Sequence, residues 1–463
     1  PSTEIVESLI RMGDEGPATA QWATNEKTAY EQALGVSMAG RRVLVAMKHV
    51  GLNVASDAFV NSALVDIRGG LVLAVADDPG MHSSQNEQDS RFYADFARVP
   101  CLEPSDPQEA YEMTREAFEL SERWHVPVMI RLVTRVAHCR GEVRTEMSRD
   151  PNPPLESIDP RGWTLLPAIA RGRWRHLLDL QPRMRNWSED RSADSLALNA
   201  VERTLGVITA GPAYNLFREV ADGMIGRPSY LHVASYPLPT RAIRRLAEHV
   251  DAILVLEDGQ PFVERALRGI LPTPIEIRGR LSGAIPEDGE LTTEAVRSAL
   301  GIEAPETLAV GDLPVAPRPP RLCNGCPHRD AYAMVQGALE GVEGAHVTGD
   351  IGCYTLGALP PFRAIESCVC RGASIGMAKG AADAGVRPVI AVIGDSTFLH
   401  SGLPALLDAI ATDTDMTVLI LDNEVVAMTG GQPTRLSSTR LEPVLRGLGV
   451  NPDHLHVLEA HPK

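Results

Sequence analysis

Short apolar runs, rich in β-branched residues, alternate along the chain with longer stretches of helical periodicity. Continuous apolar runs of this length are typical of strands that are buried on both faces of a parallel sheet. The stretches between them, such as 106–123 and 403–411, predict helices that cover those faces. The pattern therefore predicts an α/β fold with doubly wound, largely parallel sheets. The predicted strands are 42–47, 70–76, 126–132, 206–210, 252–256, 389–393 and 416–421.

Two proline-rich polar stretches interrupt this alternation and predict linkers. One is 149–158 together with the region up to Arg191, and the other is 305–320. Proline disfavours both helix interiors and central strands, which is why such stretches punctuate a chain. We therefore expect three domains, 1–190, 191–315 and 316–463, which suits 463 residues at about 100–200 residues per domain.

Composition argues against several classes of function. The chain has 44 basic and 60 acidic residues, a net charge of −16, which argues against binding to nucleic acid or to an anionic membrane. Seven cysteines make no disulfide framework and indicate a reducing, cytoplasmic compartment. No apolar run reaches about 18 residues and no signal peptide is visible, so we expect no membrane span.

The turn after the predicted strand 389–393 carries the strongest chemical signal. Gly394-Asp395-Ser396 follows the strand directly, and a helix is expected to begin within 399–403. Backbone N–H groups at such a turn bind phosphate oxygens, and Asp395 would supply a carboxylate oxygen for Mg²⁺. Asn423 follows the next strand after 26 intervening residues, and adjacent parallel strands bring both turns to one edge of the sheet. Asp395, Asn423 and the carbonyl of Val425 are therefore predicted to hold one ion.

This pairing of turns resembles the cofactor site of thiamine-diphosphate enzymes. The cofactor also needs a carboxyl group, shielded from water and supplied by another domain, to activate its aminopyrimidine ring. Glu26 is predicted to fill that role, because it begins a predicted helix in 25–35 whose sequence resembles the corresponding segment of those enzymes. The alternative is an acid placed at the helix N-terminus only to suit the helix dipole.

Seven blocks of sequence together resemble the α subunits of the indolepyruvate branch of the 2-oxoacid:ferredoxin oxidoreductase superfamily. The resemblance implies a pyrimidine-binding domain, a transketolase-C-terminal-like domain and a diphosphate-binding domain, in that order. It extends the set of cofactor contacts to Asp350, Cys353, Tyr354, Thr397 and Thr429. Family members reach beyond both ends of this sequence and carry a ferredoxin-like module, so either the natural protein is longer or this member lacks that module. The blocks are 25–35, 47–53, 81–89, 323–329, 349–357, 394–401 and 421–433.

The family resemblance also implies the reaction. A 2-oxoacid, an arylpyruvate such as indolepyruvate, would be oxidatively decarboxylated to its acyl-coenzyme A, and the electrons would pass to ferredoxin. The implied partner is a γ-type or β-type subunit, with which the chain would form a heterodimer that dimerises further. Two rival functions are a non-oxidative 2-oxoacid decarboxylase or carboligase and a catalytically silent subunit that binds thiamine diphosphate.

Three cysteines resemble ligands of the [4Fe–4S] cluster in related pyruvate oxidoreductases. Cys323 and Cys326 are separated by two residues, and 26 residues then precede Cys353. Thiolates suit iron–sulfur clusters and zinc alike, and three unliganded thiols lining a pocket are the other alternative. No fourth ligand is evident, since Cys368 and Cys370 are too closely spaced to make a good pair of ligands.

Four basic residues are candidates for contact with the substrate carboxylate, which needs cationic or N–H donors. Lys48 and His49 follow the predicted strand 42–47, and His49 is also a candidate catalytic residue. Arg131 lies in the strand 126–132, and His328 lies near Cys326. Each has a structural alternative, because Lys48 and His49 would also suit the end of a strand and Arg131 a surface cation.

Overall fold

In a computed structural model of the protein, every predicted strand is present, and each end lies within two residues of its predicted position. The strands among the described residues are β1 Val43–Lys48, β2 Leu71–Asp77, β3 Cys101–Leu102, β4 Val128–Val133, β5 Leu196–Ala197, β6 Leu205–Ala210, β7 Ser229–Val233, β8 Ser235–Tyr236, β9 Ala252–Leu256, β10 Glu276–Arg278, β11 His346–Thr348, β12 Val389–Gly394, β13 Thr417–Leu421, β14 Val425–Val426 and β15 Gln432–Pro433.

The helices cover the faces of the sheets, as the periodicity predicts. They are α1 Thr3–Gly13, α2 Glu26–Met38, α3 His49–Ser62, α4 Arg91–Ala97, α5 Pro107–Trp124, α6 Thr134–Ala137, α7 Pro160–Trp163, α8 Pro167–Arg191, α9 Ala213–Ala221, α10 Thr240–Ala247, α11 Phe262–Ile270, α12 Thr293–Ala299, α13 Pro327–Leu339, α14 Ala373–Asp383, α15 Asp395–Thr397, α16 Leu403–Ala411 and α17 Ser438–Gly447.

The structure describes residues 2–13, 18–224, 226–272, 274–303 and 319–459. The chain divides into two compact units, residues 1–309 and 310–463. The predicted linker 305–320 lies almost entirely outside the described residues, and the three-domain boundaries remain a prediction. No helix among the described residues is long and apolar enough to cross a membrane.

The first unit contains two five-stranded sheets with mostly parallel pairing, which confirms the predicted α/β class. The first sheet has the order β1-β2-β4-β3-β8, in which only the short β3–β8 pair is antiparallel. The second has the order β10-β9-β6-β7-β5 and is parallel except at its β5 edge. Every residue of β2 and of β9 is buried, as expected for central strands with helices on both faces.

Capping residues fix where the helices of this unit begin. The Asp106 side chain accepts a hydrogen bond of 2.9 Å from the backbone N–H of Glu109, and Pro107 occupies the first turn of α5. Asn25 caps α2 in the same way, accepting 2.8 Å from the N–H of Thr28. Glu26 is therefore the first residue of α2, which confirms its predicted place at a helix start.

The region from 159 to Arg191, predicted as part of a linker, is instead largely helical. It contains α7 and the 25-residue helix α8, whose Leu177, Leu180 and Met184 are buried in the core of the first unit. The prediction was wrong because these apolar residues recur at spacings of three and four among many arginines, so the helical stripe is narrow. Pro182 lies within α8, although proline removes a helical N–H donor.

The second unit contains a parallel three-stranded sheet in the order β11-β12-β13, with α14 and α16 packed on it. Gly394 pairs with Leu421, so the turns that follow β12 and β13 leave the same edge of the sheet. The helix after β12 begins at Asp395 itself, earlier than the predicted 399–403, and passes through a π-helical turn at Phe398–Gly402. Such a turn adds a residue to the helix and is frequent at functional sites, and nothing in the sequence pattern marked it.

Candidate active site

Asp395 lies at the carboxyl end of β12 and is 6% exposed. One carboxylate oxygen accepts a 2.7 Å hydrogen bond from the N–H of Ser396. The other accepts 3.3 Å and 2.8 Å bonds from the N–H groups of Asn423 and Glu424, in the turn that follows β13. The predicted juxtaposition of Asp395 with the Asn423 turn is therefore present, because two parallel strands end side by side.

A second carboxyl group, that of Asp422, faces Asp395. Burial is the main cause that raises the pKa of Asp395 to about 6, and the neighbouring Asp422 raises it further. The N–H of Ser396 and that of Glu424 act in the opposite direction. A buried carboxyl group whose ionisation is disfavoured by a neighbouring carboxyl group is suited to bind a divalent cation, which stabilises its charged form. The sequence analysis did not single out Asp422.

Asp350 anchors the neighbouring turn, after β11. It is fully buried, and its two oxygens accept hydrogen bonds of 2.7 Å and 3.1 Å from the N–H groups of Gly372 and Ser374 at the start of α14. This carboxylate therefore fixes one helix start relative to the strand edge. Its predicted contact with the cofactor remains a prediction, while its structural role follows from the hydrogen bonds.

Tyr354 joins the turns after β11 and β12. A Cβ atom added at Gly394 would lie 2.5 Å from the ring of Tyr354, and one added at Gly352 would also clash with it. The Tyr354 hydroxyl donates a 3.0 Å hydrogen bond to the carbonyl of Ile351, and the buried Thr397 hydroxyl donates 3.3 Å to the same carbonyl. Glycine at both positions thus lets two backbone turns close around one aromatic ring.

The remaining predicted contacts in this unit lie on a small hairpin. The N–H of Val425 donates a 3.2 Å hydrogen bond to the side-chain oxygen of Asn423. Val425 begins β14, which pairs with β15, and Thr429 lies in the exposed connection between them. Asn423 is half-buried beside Asp395, whereas Thr429 bonds to Gln432 within the hairpin.

The predicted cluster cysteines lie in this unit, and all seven cysteines of the chain are free. Burial raises the pKa of the Cys353 thiol, and the nearby thiols of Cys326 and Cys323 raise it further. His328 is buried, its ring meets that of Tyr354 edge to face at 6.0 Å, and burial lowers its pKa. Within the described residues, no three or more His, Cys, Asp or Glu side chains come together as a metal site.

Glu26 lies in the first unit, where α2 packs on α3. A Cβ atom added at Gly51 of α3 would lie 2.6 Å from Cγ of Glu26 and 2.9 Å from one of its carboxylate oxygens. Gly51 is buried, and its missing side chain is the space that the Glu26 side chain fills. The sequence analysis missed this residue, although a glycine inside a predicted helix usually has a packing or functional reason.

Lys48 and His49 lie where β1 passes into α3. Lys48 donates hydrogen bonds of 2.9 Å and 3.0 Å to the carbonyl and hydroxyl of Ser83, and lies 3.7 Å from a carboxylate oxygen of Asp78. Burial lowers the pKa of Lys48. The His49 ring is 1% exposed, with Nε2 3.0 Å from the carbonyl oxygen of Asn86.

Asp78 holds the loop opposite Lys48. Burial opposes its ionisation, but hydrogen bonds from Ser84, Ser83 and Thr134 outweigh it and hold the pKa of Asp78 well below its usual range. The Ser84 hydroxyl donates at 2.5 Å and the Ser83 N–H at 2.8 Å. Asp78 was not singled out from the sequence, because a lone aspartate after a strand resembles any turn residue.

Arg131 is fully buried rather than at the surface, and it is occupied by protein groups. Its Nε donates a 2.6 Å hydrogen bond to Asp77, one terminal nitrogen pairs with Glu103, and the other donates 3.0 Å to the carbonyl of Asp258. The structure therefore places Arg131 within an ion cluster and not with Lys48 and His49.

Two family models match the chain. One, described as "Pyruvate flavodoxin/ferredoxin oxidoreductase, thiamine diP-bdg", matches residues 1–157. The other, described as "Thiamine pyrophosphate enzyme, C-terminal TPP binding domain", matches residues 350–461. The chain therefore contains thiamine-diphosphate-binding domains, and these include both the Glu26 segment and the Asp395 turn.

The chain belongs to the family of indolepyruvate oxidoreductase IorA subunits. The indolepyruvate oxidoreductase subunit IorA of Methanothermobacter thermautotrophicus is 38% identical over 446 residues, which cover 94% of this chain and 72% of the relative. The IorA subunit of Archaeoglobus fulgidus is 35% identical over 483 residues, covering 97% of this chain and 76% of the relative. The family resemblance read from the seven sequence blocks is thereby confirmed.

A solved structure supports the fold. It is described as 2-oxoglutarate:ferredoxin oxidoreductase from Magnetococcus marinus with 2-oxoglutarate, coenzyme A and succinyl-CoA bound. It matches with a TM-score of 0.51 and 16% sequence identity, over 65% of this chain and 60% of that chain. At that identity the likeness concerns the fold alone.

Proposed function

We propose that this chain is the thiamine-diphosphate-binding subunit of an enzyme that oxidatively decarboxylates indolepyruvate. The product would be the acyl-coenzyme A, and the electrons would pass to ferredoxin. The names of the IorA relatives support the substrate, and the matching model for residues 1–157 supports the reaction class. A second, different subunit belongs to the proposal, because the relatives are named as subunits of an oxidoreductase.

The observation that carries the proposal is the buried Asp395 turn. A carboxylate at a strand end, beside a second carboxyl group and the side-chain amide of Asn423, is a set of oxygen donors that suits Mg²⁺. The residues fit the ion, which Asp395, Asn423 and the Val425 carbonyl would hold against the diphosphate. Backbone N–H groups of the turn from Gly394 to Ser396, at the start of a helix, would donate to phosphate oxygens, and the N–H of Ser396 would become available when Asp395 turns from it to the ion.

When bound, thiamine diphosphate supplies the carbon nucleophile that cleaves a 2-oxoacid. Glu26 would hold a proton at its carboxyl group against the aminopyrimidine ring, and Gly51 leaves the room that this side chain occupies. His49, tied by its ring to the main-chain carbonyl of Asn86, has a fixed orientation at the start of α3. Lys48 would pair with the substrate carboxylate, and Asp78 positions its ammonium group.

The [4Fe–4S] cluster implied by the family resemblance does not fit the present arrangement of Cys323, Cys326 and Cys353. The thiols are near one another, but among the described residues no three such side chains come together as a metal site. The cluster remains a prediction, which iron and sulfide analysis of the anaerobically purified protein tests.

The central experiment uses the complex of this chain with its partner subunit, purified without oxygen. Wild-type complex and Glu26→Gln are supplied with thiamine diphosphate, Mg²⁺, coenzyme A, indolepyruvate and oxidised ferredoxin. From the wild type we expect CO₂ and acyl-coenzyme A in equal amounts, with two electrons passed to ferredoxin for each CO₂ released. We expect at least about a hundredfold slower release of CO₂ from the variant. Glu31→Gln, an exposed acid one turn further along α2, is the matched control.

Two outcomes would replace the proposal with its rivals. Release of CO₂ without reduction of ferredoxin would establish a non-oxidative decarboxylase or carboligase. The other outcome is that wild type and Glu26→Gln both bind thiamine diphosphate tightly and both turn over equally slowly. That result would establish a catalytically silent subunit.

A further inference from the structure

Helix α8 is strongly basic, although the whole chain has a net charge of −16. It contains six arginines against three acidic residues. Only some of these arginines have structural partners, since Arg173 donates to the carbonyls of Leu64 and Val65 and Arg191 pairs with Glu116. Arg171 and Arg175 lie on the exposed face, which is therefore a local region of positive charge on an acidic protein.

Large apolar side chains are exposed within this region. Trp174 and Leu178, one turn apart on α8, are 42% and 39% exposed, and Phe96 on α4 is 71% exposed. Water-exposed aromatic side chains of this size are unfavourable unless something covers them. Isolated examples are ordinary on any protein, so their significance depends on whether they form one continuous surface.

Two side-chain contacts join α8 and α11 to α4, the helix on which Phe92 and Phe96 are exposed. The guanidinium of Arg98 lies over the Trp174 ring, 5.6 Å from its centroid, which joins α8 to the end of α4. The guanidinium of Arg265 on α11 lies 5.8 Å from the centroid of Phe92, one turn before Phe96 on α4. We name this surface the arginine–aromatic patch. Its members are Phe92, Phe96, Arg98, Trp174, Arg175, Leu178 and Arg265.

The composition of the patch is that of the centre of a protein interface. Tryptophan, phenylalanine and arginine are enriched at interfaces and supply most of their hot spots, whereas lysine and acidic residues are depleted. The acids on the same three helices are fewer than the arginines, and they are Asp95, Asp179, Glu189, Asp190 and Glu264. The arginines already stack on the rings, so little side-chain freedom remains to be lost when a partner binds.

Charge selects the kind of partner. A second copy of this chain, packed by two-fold symmetry, would place Arg98, Arg171 and Arg175 against the same arginines, and like charges across an interface are repulsive. A membrane or nucleic acid would meet the large negative charge on the rest of the chain. A different protein chain with an acidic rim and an apolar centre complements the patch in both respects.

We propose that the arginine–aromatic patch is the docking surface for the second subunit of the oxidoreductase, through an acidic face of that subunit. This rests on the part of the proposed function that assigns the chain to a complex of different subunits. Trp174 and Phe96 are the apolar anchors, and Arg175 and Arg265 are the charges that meet the acidic rim.

The test is the assembly of this full chain with its co-expressed partner subunit, measured as a dissociation constant by sedimentation. We expect Trp174→Ala and Arg175→Glu each to weaken assembly at least about tenfold, with the wild-type contact also weakening as salt is raised. Matched controls are Val201→Ala, an apolar residue that is 92% exposed elsewhere, and Arg140→Glu, an exposed arginine outside the patch. Thermal unfolding of each free variant shows whether it is folded. If Trp174→Ala does not fold, Arg175→Glu still tests the patch.

Three results would overturn the proposal. Unchanged assembly of both folded patch variants would remove the patch from the subunit interface. Loss of self-association of the chain alone, with partner binding intact, would make the patch a contact between identical copies. Loss of ferredoxin binding alone would assign it to the electron acceptor. A complex that assembles through the patch but does not oxidise indolepyruvate would instead refute the proposed function and leave the docking surface in place.

Discussion

Buried carboxyl groups occur in both units, and they are compensated in opposite ways. In the first unit, four of them surround two fully buried arginines, Arg91 and Arg131, which link α4, the first sheet and the loop after β9. Arg91 pairs with Asp89 at 2.5 Å and with Glu257 at 2.9 Å, and its N–H groups also reach two main-chain carbonyls. The four acids of this ion cluster are Asp77, Asp89, Glu103 and Glu257.

In the second unit, Asp395 receives its hydrogen bonds from main-chain N–H groups and faces another carboxyl group. An ion cluster in which buried carboxyl groups pair with buried arginines contributes to the integrity of the fold, and removing one arginine leaves its acids buried without that counter-charge. A carboxylate that is held in place but repelled by its neighbour is suited to bind a cation. The two regions therefore use the same residue type for structure in one case and for the predicted metal site in the other.

Arg131→Met should have the largest effect of these substitutions, and we expect it to lower the free energy of unfolding. The change keeps most of the side-chain volume but leaves Asp77 and Glu103 buried beside an apolar group. Breaking a buried ion pair in this way costs about 3–5 kcal/mol. Urea unfolding, followed by circular dichroism, measures the change in the free energy of unfolding.

Arg278→Met is the control for Arg131→Met, because Arg278 forms an exposed ion pair with Glu276. Exposed pairs of this kind contribute little, so the control should unfold like the wild type. If Arg131→Met unfolded normally but raised the KM for the 2-oxoacid, Arg131 would be a substrate contact and the comparison would fail.

Asp395→Ala should have the next largest effect. We expect it to weaken the binding of thiamine diphosphate with Mg²⁺ rather than to unfold the chain. Loss of groups that only support metal ligands costs about 10–100-fold in affinity, so loss of a ligand should cost more than about a hundredfold. Calorimetric titration of thiamine diphosphate in the presence of Mg²⁺ measures this directly. Asp408→Ala, an exposed acid on α16, is the control and should bind normally. Tight, Mg²⁺-dependent binding by Asp395→Ala would show that the ion is held elsewhere.

Gly51→Ala tests a third carboxyl group, that of Glu26, whose position depends on the space that Gly51 leaves beside it. The new methyl group would lie 2.6 Å from Cγ of Glu26, so the side chain must move. Small displacements of a reacting group can cost about a hundredfold in rate, and we expect at least about a tenfold lower kcat with cofactor affinity retained. Gly35→Ala in α2 is the matched control, since beyond its own stretch of helix backbone the added carbon would meet nothing within 4 Å. Equal kcat for both variants would exclude a positioning role for Gly51.

The sequence predicted the parts of the molecule that depend on local pattern. Buried strands and the pairing of the Asp395 and Asn423 turns follow from apolar runs and from the geometry of parallel strands, and the helix start at Glu26 was also predicted. Arg131 was predicted as a candidate substrate contact with a surface cation as the alternative, and its place in an ion cluster was not predicted. The reason is that its partners Asp77, Glu103 and Asp258 lie 54, 28 and 127 residues away in sequence. Only the folded chain brings such charges together.

Gly51 and Asp422 were not predicted as site residues for the same reason, because only the folded chain brings them to their partners. Gly51 gains its role only when α3 packs on α2, and Asp422 only when β12 and β13 end side by side. The polar helix α8 was overlooked for a different reason. Its buried stripe is narrow because its opposite face forms part of an exposed, charged surface.

The smallest expected effect is on the pH dependence of Mg²⁺ binding. It distinguishes the two causes that raise the pKa of Asp395, which are its burial and its repulsion by Asp422. The raised pKa of about 6 means that the cation-free carboxyl group is protonated below that pH and ionised above it. Its contribution to folding stability is therefore present below its ordinary pKa and is lost as pH rises through about 6. Because Mg²⁺ competes with the proton, the Mg²⁺ affinity should fall as pH drops below about 6, by at most about tenfold per pH unit for one proton.

Asp422→Asn removes the repulsion and leaves the burial. The midpoint of this pH dependence should therefore move down, but not to the value of an exposed aspartate, because burial is the larger cause. Titration of Mg²⁺-dependent thiamine diphosphate binding between about pH 5 and pH 7.5 measures the midpoint. Asp415→Asn, whose side chain is 82% exposed, should leave it unchanged. An unshifted midpoint in Asp422→Asn would mean that burial alone raises the pKa of Asp395. Asp395 would then differ from the acids of the ion cluster because it has no arginine beside it among the described residues, and not because a second acid faces it.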